Sequence, residues 1–168
     1  MSTPAIPDVM DQLAALAPDS PLALLRRQRP DLVRHLQGSD EAIFAPRDDG
    51  GLSAAERAAA ALRIAVLLRD ARLREHYRAR LEVLDTGGRL ASSASDAPTG
   101  VANPRWRAIL AHVDRVTVDP DSARREHIEG LLATGLSSRA VLALSQLIAY
   151  VNFQSRVLAG LSMLRGNQ

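Results

Sequence analysis

The chain has no cysteine and no lysine. Without thiols it has no disulfide, no thiolate nucleophile and no cysteine-held metal. Aromatic residues make up only 3% of 168 positions, and β-branched runs are scarce. Alanine and leucine fill much of the rest. They lose little on entering a helix, so an all-helical fold is expected. A chain of 168 residues suits one domain with one sizeable core.

Large blocks of one charge are missing too. The 21 basic residues, all arginine, are spread among 19 acids for a net charge of +2. No basic run exceeds a pair, as at Arg26–Arg27 and Arg124–Arg125. A nucleic-acid surface needs a clustered basic footprint, so no nucleic-acid partner is expected. Pro4, Pro7 and Asp8 interrupt the start, where a signal peptide would carry a basic segment and then an apolar one. A cytoplasmic protein without a membrane partner is therefore expected. The chain has no HExxH, GxGxxG, P-loop or GxSxG pattern. Its histidines (His35, His76, His112 and His127) do not show metal-ligand spacing. No metal and no cofactor is expected. Glu126 and His127 read first as a solvated pair on a short helix, and second as ligands.

The most structured stretch runs from Leu52 to Leu81. Ser53 and Glu56 fit a capping box, with Leu52 placed as a hydrophobic staple. The run from Ala58 to Leu68, interrupted only by Arg63, is apolar on nearly all sides. That marks a helix buried on most faces, too short and too charged at its flanks to cross a bilayer. From Arg69 the pattern turns amphipathic, with Leu73, Tyr77 and Leu81 four apart. Periodicity allows one long helix here, or a restart with Asp70 as N-cap. His76 falls beside that stripe. It reads either as a half-buried histidine packing by its ring or as a proton carrier. Glu56, Arg63, Arg69, Arg72, Glu75 and His76 form the one suggestive set. Arginine binds carboxylate in a bidentate way, and histidine exchanges a proton near neutral pH.

Residues 1–29 read as a flexible lead (Met1 to Pro7) followed by two short helices, Asp8 to Ala17 and one starting at Ser20-Pro21. Residues 30–168 read as a single helical domain. Asp31 to Phe44 forms a helix, and Arg47 to Gly51 turns into the capping box. Residues 85–103 are small, polar and without period, and read as a long surface loop, either a lid or, as favoured here, plain disorder. Helices follow from Asn103-Pro104 to about Val116, from Ser122 to Ala133, and from Ser137 or Ser138 to about Arg165. Leu144, Leu147, Ile148, Val151, Leu158 and Leu161 form the buried stripe of the last one. Asn152 and Arg156, four apart at its edge, read as solvated surface, or as facing a cavity or a subunit interface.

Several segments together resemble the carboxymuconolactone decarboxylase and alkylhydroperoxidase-D-like superfamily. They are LSAAER (Leu52–Arg57), RLREHYRARL (Arg72–Leu81), VTVDP (Val116–Pro120), LLATGLS (Leu131–Ser137) and AYVNFQSRVLAGL (Ala149–Leu161). Their order and spacing carry the likeness, from about Pro30 onward. The resemblance implies about six helices around a central helical hairpin, and a homo-oligomer (dimer, trimer or hexamer). It places the family histidine on His76 and the Asn-x-x-x-Arg pair of peroxidase-related members on Asn152 and Arg156. The family's two thiols would fall on Arg69 and Arg72, or on Asp70 and Leu73. Its glutamate falls near Ala58, with Glu56 half a turn away. Thiol peroxidase chemistry is thereby excluded for this chain alone. The cysteine-free decarboxylase branch handles carboxylated lactones. The expectation is a pocket for a small carboxylate, with His76 and Glu56 catalytic and Arg69, Arg72, Asn152 and Arg156 binding substrate. The alternative is a non-catalytic scaffold or a partner subunit of a cysteine-bearing relative.

Overall fold

A computed structural model describes residues 8–95 and 98–166. The expected lead at Met1–Pro7 and positions 96–97 of the expected loop lie outside the described residues. Among the described residues there are nine α-helices and no strand, so the fold is all-α. They are α1 (Val9–Leu13), α2 (Pro21–Arg27), α3 (Pro30–Phe44), α4 (Ala54–Leu67), α5 (Ala71–Leu84), α6 (Arg89–Ser95), α7 (Pro104–Val118), α8 (Arg125–Ala133) and α9 (Ser138–Gly166). The two short helices expected within residues 1–29 are α1 and α2; from Pro30 onward there are seven helices among the described residues against the expected six or so, and α6 is the one that was not expected.

Helix α4 is the hub, and it packs against α5, α6, α7 and α9. Ala58, Ala59, Ala60 and Ala61 are all fully buried. Four methyl-sized side chains in a row let neighbouring helices approach from several sides. Ser53 caps the helix as its pattern predicts. Its Oγ accepts from Glu56 N, and Glu56 Oε2 accepts from Ser53 N at 2.9 Å. Two buried arginines tie the hub to its surroundings. Arg63 makes a two-pronged pair with Asp114 of α7, both contacts at 2.7 Å. Arg57 donates only to backbone carbonyls, those of Leu52, Ile43 and Asp49.

The α4–α5 hairpin turns within three residues, Leu68, Arg69 and Asp70. Arg69 N donates to Val66 O and Asp70 N to Ala65 O, both at 3.1 Å. This is the Schellman pattern, whose left-handed residue is ordinarily glycine. Here it is Arg69, with φ of 56°. Asp70 then caps α5 through Oδ1, which accepts from Arg72 N and Leu73 N. The helix therefore restarts at Asp70 rather than continuing. A side chain in the left-handed region costs about 1–2 kcal/mol, and glycine gives back part of this through its freer unfolded chain. Arg69→Gly is expected to stabilise the protein by about 0.5–1 kcal/mol, read as a higher urea midpoint at unchanged slope. A lower midpoint would refute the strain.

Two segments are more ordered than the sequence suggests. α1 and α2 belong to the main core, with Met10, Leu13, Leu22 and Ala23 buried in it. The stretch expected to be a loop carries α6 and a 3₁₀ turn, Pro98–Gly100. Asp85 Oδ2 caps α6, accepting from Leu90 N at 2.7 Å. Ala94 is fully buried, and Trp106 Nε1 donates to Ser93 Oγ at 2.7 Å. Small side chains hid this helix, because alanine and serine leave no apolar period to read.

α9 lies along the bundle, against α3, α4, α7 and α8. By length and composition it alone among the described helices could cross a bilayer, with 33% of its most apolar window buried in the fold.

Candidate functional site

The inward stripe of α5 is Leu73, Tyr77 and Leu81. This sets His76 at the stripe's edge, facing the end of α1. Its ring stands edge-on to Tyr77, with centroids 4.9 Å apart. Nε2 of His76 is buried and has no hydrogen-bond partner among the described residues. The ring lines a cleft of about 380 Å³ with Arg72, Glu75, Arg165 and the Leu13–Ala15 end of α1. Larger hollows, of about 660 Å³ beside Trp106 and about 540 Å³ beside Asp8, hold none of the predicted residues.

Arg72 reaches the cleft with a side chain 41% exposed. Its Nη1 donates to Ser162 Oγ at 2.7 Å, and its Nε lies 3.6 Å from Asp70. Arg165 comes from the far end of α9 and donates through Nη2 to the carbonyls of Ala14 and Ala15. Ala15 itself is left-handed, with φ of 48°. Burial holds the His76 imidazole below its ordinary pKa. The Asp40 carboxylate works against that shift, and the Arg80 guanidinium adds to it. A histidine that stays neutral near pH 7 is a base.

The structure brings His76 and Arg72 together and sets the other predicted residues apart. Glu56 completes the cap of α4 and pairs with Arg105 of α7. Both its oxygens are engaged, and it does not line the His76 cleft. Arg69 is exposed at the hairpin turn. Asn152 is buried and folded onto its own helix, with Nδ2 donating to Ile148 O at 2.9 Å. Arg156 is exposed, with no hydrogen bond or ion pair among the described residues. Within the single chain, Asn152 and Arg156 therefore do not face one cavity together.

Behind His76 lies a buried polar cluster that the sequence analysis missed. Tyr77 Oη donates to Gln154 Oε1 at 2.5 Å. Tyr150 Oη lies 3.5 Å from Asp40 Oδ1, and Arg80 Nη1 is 3.4 Å from Asp40 Oδ2. The Arg80 guanidinium sits over the Phe44 ring at 4.3 Å. Burial and the Asp40 charge raise the pKa of both tyrosines. Both stay protonated, as donors. One signal was available. Gln154 interrupts the buried stripe of α9 between Val151 and Leu158, and a buried tyrosine needs a partner for its hydroxyl. Arg165 was read only as the end of the last helix. Nothing local marks it as reaching α1. Among the described residues no group of three or more acidic or histidine side chains could hold a metal ion.

Compared with known proteins, the chain matches no family model and no curated protein.

Proposed function

We propose that this chain is a cysteine-free member of the carboxymuconolactone decarboxylase and alkylhydroperoxidase-D-like superfamily. In this reading it binds a small carboxylate beside His76 and moves a proton with that imidazole. The observation that carries the reading is the His76 ring, its buried Nε2 without a partner among the described residues, at the wall of a cleft containing two guanidinium groups. A helical hairpin with the histidine on its second helix supports the family assignment. Arg72 keeps donors beyond the one used on Ser162, and a carboxylate accepts two of them side by side. Neutral His76 would take a proton from the bound anion. Asp40 would favour the imidazolium so formed, while burial would favour handing the proton back. A cytoplasmic setting belongs to the same proposal.

The second reading is an oligomeric scaffold or a partner subunit, and one observation favours it. Arg139, Leu142, Gln146, Ala149, Phe153, Arg156, Gly160 and Met163 of α9 are all exposed. They alternate three and four apart, the spacing of a helix seam. A dimer, trimer or hexamer of this chain would cover that stripe.

A thermal-shift screen with dicarboxylates, lactones and aromatic acids separates the two readings. A ligand at a hundred times its dissociation constant stabilises by about 2.7 kcal/mol. For a chain of this size that is roughly 5–10 °C. A hit lost in His76→Ala supports the carboxylate site. No hit, together with a lower melting temperature for the variant, favours the scaffold.

A further inference from the structure

α8 is loosely tied to the fold. Leu131 is its one fully buried residue, and its ion pair, Arg125 with Glu129, lies on its own surface. Among the described residues no side-chain hydrogen bond joins it to α7 or α9. We propose that the α7–α8 contact is an acid-sensitive joint, in which proton uptake by His127 and His112 releases α8 while the α4–α5 core stays folded.

The first half of the device is the helix start. The N-cap residue, Arg124, has an extended backbone and a side chain that cannot accept a hydrogen bond. The N–H of Arg124 is satisfied by Nδ1 of His127, three residues on, at 3.0 Å. That contact requires a lone pair on Nδ1. An imidazolium has none, so protonation removes the cap. The remaining ring proton sits on Nε2, 4.0 Å from Glu126 Oε1.

The second half lies under α8. His112 of α7 is 5% exposed, and neither ring nitrogen has a partner among the described residues. The groups around it oppose a positive charge. Arg115 on the same helix and His127 on α8 hold it neutral, on top of burial. From α4 the charged neighbour is Arg63, already bound by Asp114. α9 has no titratable side chain between Arg139 and Tyr150. The turn into α8 supplies Asp119 and Asp121, both exposed. A proton on His112 therefore has no buried counter-charge and gains hydration only when α8 lifts away. Because burial holds His112 below the ordinary value of 6.5, its share of the closed joint is fully present above that value and is lost as pH falls from it.

Amide hydrogen exchange of the full chain, read by mass spectrometry from pH 7.5 to 5.0 and corrected for intrinsic rates, tests this. One proton bound only by the open form changes protection about tenfold per pH unit. Residues 125–133 should lose protection at about that slope below pH 6.5, through an opening of lower free energy than the global one that exposes 55–67. His127→Gln supplies an acceptor that does not titrate, as glutamine does in capping boxes. It should flatten the slope in part, and His127→Gln with His112→Leu should abolish it. His127→Gln changes only the rim of α8 and reads out even if His112→Leu misfolds. Protection of 125–133 that is independent of pH would overturn the proposal. So would protection of 125–133 equal to that of 55–67 at every pH, or an unchanged slope in His127→Gln.

Discussion

Arg57→Ala is expected to lower the unfolding free energy by about 3–5 kcal/mol, because it removes charged donors from three carbonyls at once. Arg57 is 4% exposed. Its Nε reaches Leu52 O at 2.8 Å, Nη1 reaches Ile43 O at 2.9 Å and Nη2 reaches Asp49 O at 2.7 Å. Those carbonyls belong to the last turn of α3, the connecting turn and the residue before the α4 cap. One side chain thus fixes how the chain enters its central helix. The substitution also opens a void where the arginine stem packed. A hollow of about 440 Å³ borders Ile43, Asp49 and Arg57, and water entering it would satisfy part of what is lost. That places the effect toward the lower end of the range. Arg57→Lys can serve one carbonyl and should recover less than half of the deficit. Urea unfolding of both variants measures this, and a loss below about 1 kcal/mol for alanine would show that water replaces the guanidinium fully.

Acid should also destabilise the protein. Burial lowers the pKa of both His76 and His112 from the ordinary value of 6.5. The unfolded chain then binds protons at these sites over a pH range in which the folded chain does not. Stability is fully present above pH 6.5 and is lost as pH falls from there toward the lowered values. Within that window each histidine contributes at most about 1.4 kcal/mol per pH unit, so the pair has a ceiling near 2.8 kcal/mol per unit. His76 lines an open cleft and keeps some hydration, so its share falls short of that limit. Urea midpoints taken from pH 7.5 to 5.0 should fall accordingly. His76→Leu and His112→Leu should each remove part of the slope. A midpoint flat across this range would mean that both rings take up protons in place. The slope here is global, whereas the α8 joint concerns one segment, and exchange measurements separate them.

The helices that sequence reveals best are those with a start signal and a period. Ser53 and Glu56 mark the start of α4, Asn103-Pro104 that of α7, and the leucine stripe of α9 marks its buried side. The hairpin restart at Asp70 was legible only as one of two options. Nothing in the pattern requires an arginine to take the left-handed turn before it. α6 was missed because Ala94 is buried through its smallness and half-buried Ser93 is held by Trp106, a residue from another helix. The candidate site was half legible. His76 and Arg72 are four apart on one helix, so local spacing places them together. Arg165 and Asp40 come from α9 and α3, and only tertiary packing brings them near. Glu56 misled because one residue supports two readings, a helix cap and a general base, and the cap and the Arg105 pair between them take both oxygens.

The four consecutive alanines of α4 bear on how substitutions across this chain are to be understood. Each is fully buried among the helices around α4, so a larger side chain has to displace its surroundings, at about 1–3 kcal/mol per overpacked position. A saturation map would therefore show its most intolerant block at 58–61. That block would record spacing rather than chemistry. The cleft beside His76 should look permissive by comparison wherever growth selects for folding alone. Ranking positions by tolerance would thus point away from the catalytic candidates and toward the axle of the bundle.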